Sequence, residues 1–254
     1  MTPSAFLFDL DGTVYTEAGV VPGVPEAVAR VAARGIPFRF VTNTTRRSRR
    51  ALVERLRGYG IPAEPGDVFT SVRAAAGVLR LRGVRRAAAF FAREAWEDVE
   101  GLELIPPDSA GSPPVDAVVV GDLGDGWTAG LLNAAFRWLA GGAQLVALQK
   151  DRYWMTAGGL ALDAGPYVAA LEYATGLTAL VCGKPSPQFY EMAVASLGRP
   201  PRVAMVGDDL WADIEGAQRA GLEGWLVRTG KYVPAAAAAS GIRPDRELQS
   251  LADV

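Results

Sequence analysis

The sequence contains no histidine among its 254 residues. Without imidazole, the chain cannot build a Ser-His-Asp triad, a Cys-His pair or a histidine-liganded zinc site. Acid–base chemistry must therefore come from carboxylates, lysine or tyrosine. This absence excludes several large classes of hydrolytic mechanism.

Cysteine is almost as scarce, because Cys182 is the only one in the chain. A single cysteine cannot form an internal disulfide, and it fits a reducing compartment. Cys182 lies in an apolar run, which favours a buried structural thiol over a reactive one. We therefore expect a cytoplasmic protein.

Neither sign of charge is in large excess, with 26 Lys and Arg against 28 Asp and Glu and a net charge of −2. This balance offers no global attraction for nucleic acid or an anionic membrane, and no apolar run reaches the ~20 residues of a membrane helix. The arginine-rich run Arg46–Arg50 lacks interleaved aromatic residues and is typical of a solvated helix face, with attraction of an anionic substrate as the alternative. We expect neither a nucleic-acid nor a membrane partner.

Short apolar runs alternate along the chain with segments of helical periodicity. Residues 5–10, 38–42, 177–182 and 202–206 predict core strands, and the helical segments 25–34 and 49–59 each end at a glycine. This order predicts an α/β protein with a Rossmann-like parallel sheet covered by helices on both faces. A second series of the same kind lies between the two halves. We therefore predict a discontinuous core, residues 1–73 and 181–254, and an inserted α/β cap domain, residues 74–180.

Polar residues follow four of the predicted core strands. They are Asp9 with Asp11, the run Thr42-Asn43-Thr44, Lys184 after Gly183, and the pair Asp208-Asp209 after Gly207. The carboxyl ends of parallel strands share one edge of a sheet, and ligands bind there. We therefore expect these four clusters to converge on one site.

The residue types in these clusters indicate the chemistry of that site. Carboxylates brought together repel one another unless a cation or a proton intervenes, and an all-oxygen ligand set suits Mg²⁺ better than Zn²⁺. A lysine and a hydroxyl group supply positive charge and hydrogen-bond donors for an anion. Together they predict a site for a phosphoryl group. With no histidine, and no suitably placed serine or cysteine, an aspartate that accepts the phosphoryl group is the remaining covalent route.

Each cluster also has a purely structural interpretation. The pair Asp11-Gly12 is common in turns, and Thr42-Asn43-Thr44 can cap the helix that follows. Lys184, which precedes a proline, can be a solvated lysine. Asp208, Asp209 and Asp213 can all be acids at the N-terminus of a helix, an interpretation that suits Asp213 best. The occurrence of all four clusters in one chain favours the functional interpretation.

Four segments resemble, in order and spacing, the four motifs of the haloacid dehalogenase-like (HAD) superfamily. They are FDLDGTVY at 8–15, VTNTT at 41–45, GKPSP at 183–187 and GDDLWAD at 207–213. The inserted residues between the second and third motifs resemble the large α/β cap of one subgroup, and the segments 152–176 and 227–232 add to that likeness. The resemblance covers essentially the whole chain. It implies a HAD-like core with an α/β cap and the activity of a phosphatase.

The resemblance implies a role in catalysis for two aspartates. Asp9 would be the nucleophile that becomes an aspartyl phosphate. Asp11 would protonate the leaving oxygen and then activate the water that hydrolyses the intermediate. Both would also hold Mg²⁺, Asp9 through its carboxylate and Asp11 through its backbone carbonyl, with Asp208 as the third protein ligand.

The resemblance also implies roles for the residues around them. The phosphoryl oxygens would be bound by Thr42, Asn43 and Thr44, and Lys184 would neutralise charge between Asp9 and the phosphate. Asp209 and Asp213 would orient the metal ligands or Lys184 without touching the substrate. In the cap, the glycine-bracketed segment 158–166 is predicted to be a loop that determines specificity, with an ordinary hairpin-like turn as the alternative.

Three functions are open at this stage. The first is a Mg²⁺-dependent phosphatase acting on a small phosphorylated compound: a phosphoester, pyrophosphate or an N–P bond. The second is a phosphomutase of the same superfamily, although such enzymes commonly carry smaller helical caps. The third is a receiver-like signalling protein phosphorylated on aspartate, but receivers are about half this length and lack an inserted domain. A homodimer formed through the cap is implied by the resemblance alone.

Overall fold

The computed structural model describes residues 2–109, 114–156 and 158–254, without the side chains of residues 155 and 156. Among these residues, none of the helices has the length and apolar character needed to cross a bilayer. The strands are β1 (Ala5–Asp9), β2 (Tyr15–Thr16), β3 (Gly19–Val20), β4 (Phe38–Thr42), β5 (Val68–Thr70), β6 (Arg86–Phe90), β7 (Glu103–Ile105), β8 (Ala117–Val120), β9 (Gln144–Ala147), β10 (Tyr153–Thr156), β11 (Gly159–Leu162), β12 (Leu180–Val181), β13 (Val203–Gly207), β14 (Glu223–Val227) and β15 (Arg246–Leu248). The α-helices are α1 (Val24–Ala33), α2 (Arg49–Gly58), α3 (Ser71–Leu81), α4 (Ala129–Ala140), α5 (Ala164–Thr175), α6 (Pro187–Ala195), α7 (Gly216–Arg219) and α8 (Pro234–Ser240).

The chain packs into two compact units. The core unit contains Met1–Thr42, Arg49–Phe69 and Lys184–Val254, and the insert unit contains Asn43–Ser48 and Thr70–Gly183. The short segment Asn43–Ser48 thus packs within the insert unit, although the chain belongs to the core unit on either side of it. The domain boundaries predicted from the sequence, at 73/74 and 180/181, stay a prediction.

The core unit is built on a six-stranded sheet with the order β15-β14-β13-β1-β4-β5. The central strand β1 pairs in parallel with β13 on one side and β4 on the other, so that Phe6 lies opposite both Ala204 and Phe38. All five residues of β1 are buried. The first four, Ala5–Phe8, form the continuous apolar run that a parallel strand covered on both faces needs, and this confirms the predicted parallel α/β fold.

Helices α1 and α2 each pack by one apolar face. Helix α1 buries Val24, Ala27, Val28 and Val31, which recur at helical spacing. Helix α2 buries Leu52, Val53 and Leu56. In the arginine run before and within α2, Arg47 and Arg50 are exposed, whereas Arg46 forms an ion pair of 2.5 Å with Asp122 inside the insert unit. The solvated-face interpretation therefore holds for only part of the run.

The insert unit has its own parallel sheet, with the order β12-β9-β8-β6-β7. The sequence places residues 177–182 in the core sheet, and this is wrong, because β12 pairs with β9 of the insert sheet. Helix α3, which the sequence reading left unassigned, begins where the Thr70 side chain accepts a hydrogen bond from the amide of Arg73 at 3.1 Å. A threonine cap before apolar residues at helical spacing is the signal that could have found it.

The predicted cap loop at 158–166 is mostly regular structure. Residues 159–162 form β11, which pairs antiparallel with β10, and Asp163 caps α5 by accepting from the amide of Ala164 at 2.7 Å. The hairpin that was the alternative interpretation is therefore present. A role of this segment in specificity stays a prediction.

Candidate active site

The candidate site lies at the carboxyl edge of the core sheet. Asp9 is the last residue of β1, Thr42 is the last residue of β4, and Asp208 directly follows β13. These three strands are neighbours in the sheet and run parallel, so their carboxyl ends lie side by side. The expected convergence is therefore found for these three clusters.

Lys184 also contacts Asp9, although it does not follow a strand of the core sheet. It follows β12 of the insert sheet and stands just before α6, at the start of the third stretch of the core unit. Its Nζ donates to Asp9 Oδ1 at 2.5 Å and to Asp213 Oδ1 at 2.6 Å. The exposed fractions of the three side chains are 4%, 7% and 1%. The interpretation of Lys184 as a solvated lysine is therefore wrong.

Asp213 is both an acid in the first turn of a helical segment and a partner of Lys184. The interpretation of Asp213 as an acid near a helix N-terminus is confirmed by its position in the first turn, and in addition its Oδ1 accepts from Lys184 and its Oδ2 accepts the amide of Asp209 at 3.1 Å. The π-helical turn Leu210–Glu215 carries Asp213 inward, and the Tyr190 hydroxyl donates to the carbonyl of Ala212 in that turn. Asp213 thus holds the lysine, while Asp209 is the residue that caps the turn.

Asp208 is buried and held by two donors. Its Oδ2 accepts the amide of Lys231 at 2.6 Å, and its Oδ1 accepts the Thr13 hydroxyl at 3.3 Å. Asp9, Asp208 and Asp213 each offer a carboxylate oxygen within 4.8 Å of the others. Lys184 binds two of these three carboxylates, so the buried site carries more negative than positive charge.

The pKa values of all three carboxylates are raised, which shows that their ionised forms are disfavoured in this site. Burial raises the pKa of Asp9 to about 7, against the opposing effect of Lys184 and with a further rise from Asp208. Burial likewise raises the pKa of Asp213 to about 7 and that of Asp208 to about 6. Burial alone would lower the pKa of Lys184, but Asp213 and Asp9 raise it well above its usual range. A buried all-oxygen set with surplus negative charge suits a hard divalent cation.

Asp11 lies two residues beyond the end of β1, and its side chain is exposed. Its Oδ2 accepts the Thr42 hydroxyl at 3.5 Å. Loss of part of its hydration raises the pKa of Asp11, and the positive charges of Arg55, Lys184 and Lys231 oppose that rise. The turn needs Gly12, because its φ is +93° and an added Cβ would collide with the Asp208 carboxylate. The turn interpretation of Asp11-Gly12 and the functional one are therefore compatible.

Asp209 combines two roles at the next position. Its Oδ1 accepts the amides of Trp211 and Ala212 at 3.0 Å each, which caps the π-helical turn. Its Oδ2 accepts Lys231 Nζ at 3.0 Å. Burial would raise the pKa of Asp209, but Lys231 and these amides lower it below its usual range. Asp209 is thus an ionised cap.

Asn43 and Thr44 follow Thr42 directly but belong to the insert unit. There, Asn43 Nδ2 donates to Asp151 Oδ2 at 3.4 Å. The next residue, Thr45, accepts the amide of Asp122 at 2.8 Å. A role of Asn43 and Thr44 in binding phosphate stays a prediction.

Cys182 is buried in the insert unit, and burial raises the pKa of its thiol to about 12. This agrees with the structural interpretation of the thiol.

Sequence reasoning used residues 227–232 only as part of the family resemblance and assigned no site role to the turn formed by Thr229, Gly230 and Lys231, just beyond β14. The Thr229 hydroxyl donates to the carbonyl of Gly12 at 2.6 Å, and Lys231 contacts Asp208 and Asp209. Because β14 pairs with β13, the strand-end argument used for the other clusters applies here too and could have found the turn.

Comparison with known proteins decides the family. The family described as haloacid dehalogenase-like hydrolase matches residues 6–104, and one described as HAD-hydrolase-like matches residues 181–254. Haloacid dehalogenase-like hydrolase domain-containing protein 2 of Bos taurus is 41% identical over 229 residues, which cover 90% of this chain and 85% of that protein. The chain belongs to the haloacid dehalogenase-like hydrolase family.

Two further comparisons extend the likeness to named phosphatases. The phospholysine phosphohistidine inorganic pyrophosphate phosphatase of Bos taurus is 36% identical over 254 residues, covering 97% of this chain and 91% of that protein. The glycerol phosphate phosphatase of Mycobacterium tuberculosis, solved in complex with calcium, superposes with a TM-score of 0.86 at 32% identity, covering 98% of this chain and 74% of that one. The protein is thus a HAD-type phosphohydrolase.

Proposed function

We propose that this HAD hydrolase is a Mg²⁺-dependent phosphatase that hydrolyses a small phosphorylated compound through an aspartyl phosphate on Asp9. The observation that carries the proposal is the buried arrangement of Asp9, Lys184 and Asp208 at one edge of the core sheet, with the exposed Asp11 two residues from Asp9. A nucleophile, a fixed cation, an oxygen ligand and a proton donor are the groups that this chemistry requires.

The reaction proceeds in two steps on these residues. The Asp9 carboxylate attacks phosphorus, the bond to the leaving oxygen breaks, and that oxygen takes the proton carried by Asp11. Water then attacks the phosphorus of the aspartyl phosphate while Asp11 accepts its proton. Phosphate leaves and the Asp9 carboxylate is restored. The raised pKa of Asp11 favours the protonated form that the first step needs.

Lys184 and Thr42 act on the charge and position of the reacting groups. The pKa of Lys184 is well above its usual range, so this residue stays cationic at neutral pH and offsets the charge of Asp9 and of the phosphoryl group. Asp213 holds Lys184 in place at 2.6 Å. The Thr42 hydroxyl lies beside Asp11 and donates to a phosphoryl oxygen when substrate is bound, together with Asn43 and Thr44 in our proposal.

Three groups would hold the Mg²⁺ ion: the carboxylates of Asp9 and Asp208 and the backbone carbonyl of Asp11. Bound there, the ion supplies charge neutralisation for the phosphoryl oxygens. The surplus of buried carboxylates supports this assignment. The calcium complex of the mycobacterial phosphatase supports a divalent cation as the cofactor to test. The names of the relatives support glycerol phosphate, pyrophosphate and phosphoramidates as substrates to test. A homodimer stays a prediction.

The test is release of inorganic phosphate from p-nitrophenyl phosphate, glycerol phosphate, pyrophosphate and phosphohistidine, with Mg²⁺ or with EDTA. We expect turnover of at least one substrate only with Mg²⁺, and a loss of roughly 10³-fold or more in Asp9→Asn. The matched control is Asp108→Asn, a change at an exposed aspartate of the insert unit, which should retain full turnover. Full activity of Asp9→Asn, or of the wild type in EDTA, would show the mechanism to be wrong.

A second experiment identifies the intermediate. Borohydride added during turnover reduces an acyl phosphate to an alcohol, and peptide mass spectrometry should find this change at Asp9 and not at Asp11. If phosphate accumulates on Asp9 without turnover, the protein is a receiver-like switch. If the phosphoryl group passes to a second hydroxyl group instead of water, the protein is a phosphomutase.

A further inference from the structure

The turn formed by Thr229, Gly230 and Lys231, here called the Thr229 turn, touches two separate parts of the candidate site. The Thr229 hydroxyl donates to the Gly12 carbonyl at 2.6 Å, across 217 residues of sequence. The amide of Lys231 donates to Asp208 Oδ2, also at 2.6 Å. None of the functions assigned above uses this turn.

Gly12 is a residue of the site whose backbone conformation needs to be held in place. Glycine has the freest backbone of all residues, and Gly12 lies in the left-handed region with a φ of +93°. Its amide, which shares a peptide plane with the Asp11 carbonyl, donates to the Tyr15 carbonyl at 2.7 Å. The bond from Thr229 fixes the next peptide plane. Gly12 is therefore held on both sides, and the Asp11 carbonyl points in one direction.

Gly230 brings the turn into direct contact with the site. An added Cβ at this position would collide with the Asp208 carboxylate and lie 2.6 Å from Gly12 Cα. Its φ of +56° would also strain any residue with a side chain. The turn, Gly12 and Asp208 therefore pack with no room between them.

The side chain of Lys231 completes the attachment. Its Nζ donates to Asp209 Oδ2 at 3.0 Å, and Asp209 in turn caps the helical turn that carries Asp213. The lysine side chain is 53% exposed, so this ion pair contributes less than the two partly buried hydrogen bonds.

We propose that the Thr229 turn is a positioning element that sets the affinity of the site for its divalent cation, by fixing the Gly12 backbone and the Asp208 carboxylate. The proposal rests on the proposed function, because it takes Asp208 and the Asp11 carbonyl to be the metal ligands. Thr229 acts through Gly12 and does not touch the substrate. Partners that orient metal ligands in this way typically change metal affinity by 10–100-fold when they are removed.

The decisive experiment compares two substitutions at one position. Thr229→Val removes the hydroxyl and keeps the branched shape, whereas Thr229→Ser keeps a hydroxyl that can reach the Gly12 carbonyl. The matched control is Thr175→Val, because the Thr175 hydroxyl donates to the Leu171 carbonyl at 2.7 Å in the insert unit. Mg²⁺ binding is measured by titration calorimetry on the substrate-free proteins, and the apparent activation constant for Mg²⁺ is measured by phosphate release.

We expect Thr229→Val to bind Mg²⁺ roughly 10-fold more weakly, with Thr229→Ser and Thr175→Val close to the wild type. The activation constant should shift by the same factor, while kcat largely recovers at saturating Mg²⁺, which a mere loss of stability would not produce. Gly230→Ala should weaken Mg²⁺ binding further. If that variant does not fold, the comparison of Thr229→Val with Thr229→Ser still tests the proposal.

Wild-type affinity in Thr229→Val, or equal losses in the Val and Ser variants, would overturn the positioning role. That outcome is distinct from failure of the proposed function. In that second case, the wild type itself would neither bind Mg²⁺ nor release phosphate.

Discussion

Replacing the proposed nucleophile should stabilise the metal-free protein while abolishing its activity. Asp9 is buried and lies among Asp208, Asp213 and Lys184. Asp9→Asn keeps the shape of the side chain and an oxygen that can accept from Lys184, but it removes one of three mutually repelling charges. Lys184 keeps Asp213 as its ionic partner at 2.6 Å.

The magnitude follows from the pKa of Asp9, which burial raises from 3.8 to about 7. Between these two values the folded state holds a proton that the unfolded state has lost, so the free energy of unfolding falls as pH rises. The stability that the protonated Asp9 provides relative to the ionised form is fully present below pH 3.8 and is lost by about pH 7. At about 1.4 kcal/mol per pKa unit, the ionised carboxylate costs about 4 kcal/mol. We therefore expect Asp9→Asn to be more stable than the wild type by ~2–4 kcal/mol at pH 8.

The assay is urea unfolding in EDTA at a series of pH values from 4 to 8. With rising pH, the free energy of unfolding of Asp9→Asn should fall less steeply than that of the wild type, by up to ~1.4 kcal/mol per pH unit, while Asp108→Asn follows the wild type. An identical slope in Asp9→Asn, or a variant less stable than the wild type at pH 8, would refute the view that this site carries surplus buried charge.

Three further outcomes are expected. Lys184→Met leaves two buried carboxylates without their cation and should lower the free energy of unfolding by ~3–5 kcal/mol in urea at pH 7. The control Lys150→Met removes a partly exposed ion pair and should lower it by less than ~1 kcal/mol. Equal losses in the two variants would contradict the buried-pair argument. Tyr190→Phe removes the donor to the π-helical turn and should cost ~1–2 kcal/mol, and an unchanged urea midpoint would argue against that role. Mg²⁺ at a hundred times its dissociation constant should stabilise the wild type by ~2.7 kcal/mol, seen as a higher melting temperature, and should do so much less for Asp208→Asn.

Much of the fold and part of the site follow from local sequence pattern. The fully apolar run of β1 predicts a buried parallel strand, and the parallel order predicts that Asp9, Thr42 and Asp208 meet at one edge. This inference succeeds because the carboxyl ends of neighbouring parallel strands lie side by side whatever the intervening residues do. It failed for β12, because a short apolar run does not specify which of two sheets it will join.

Other features depend on contacts between residues far apart in the chain. No local pattern shows that Asp213 turns inward to Lys184, that Asn43 packs in the insert unit, or that Thr229 binds the Gly12 carbonyl. Each of these depends on which segments become neighbours once sheet order and helix packing are settled. The sequence by itself therefore determined the family, the parallel core and the residue types at its edge. Only the tertiary structure decided which carboxylates are buried together and which backbone groups hold them, because hydrogen bonds and desolvation depend on distances that arise when remote segments pack.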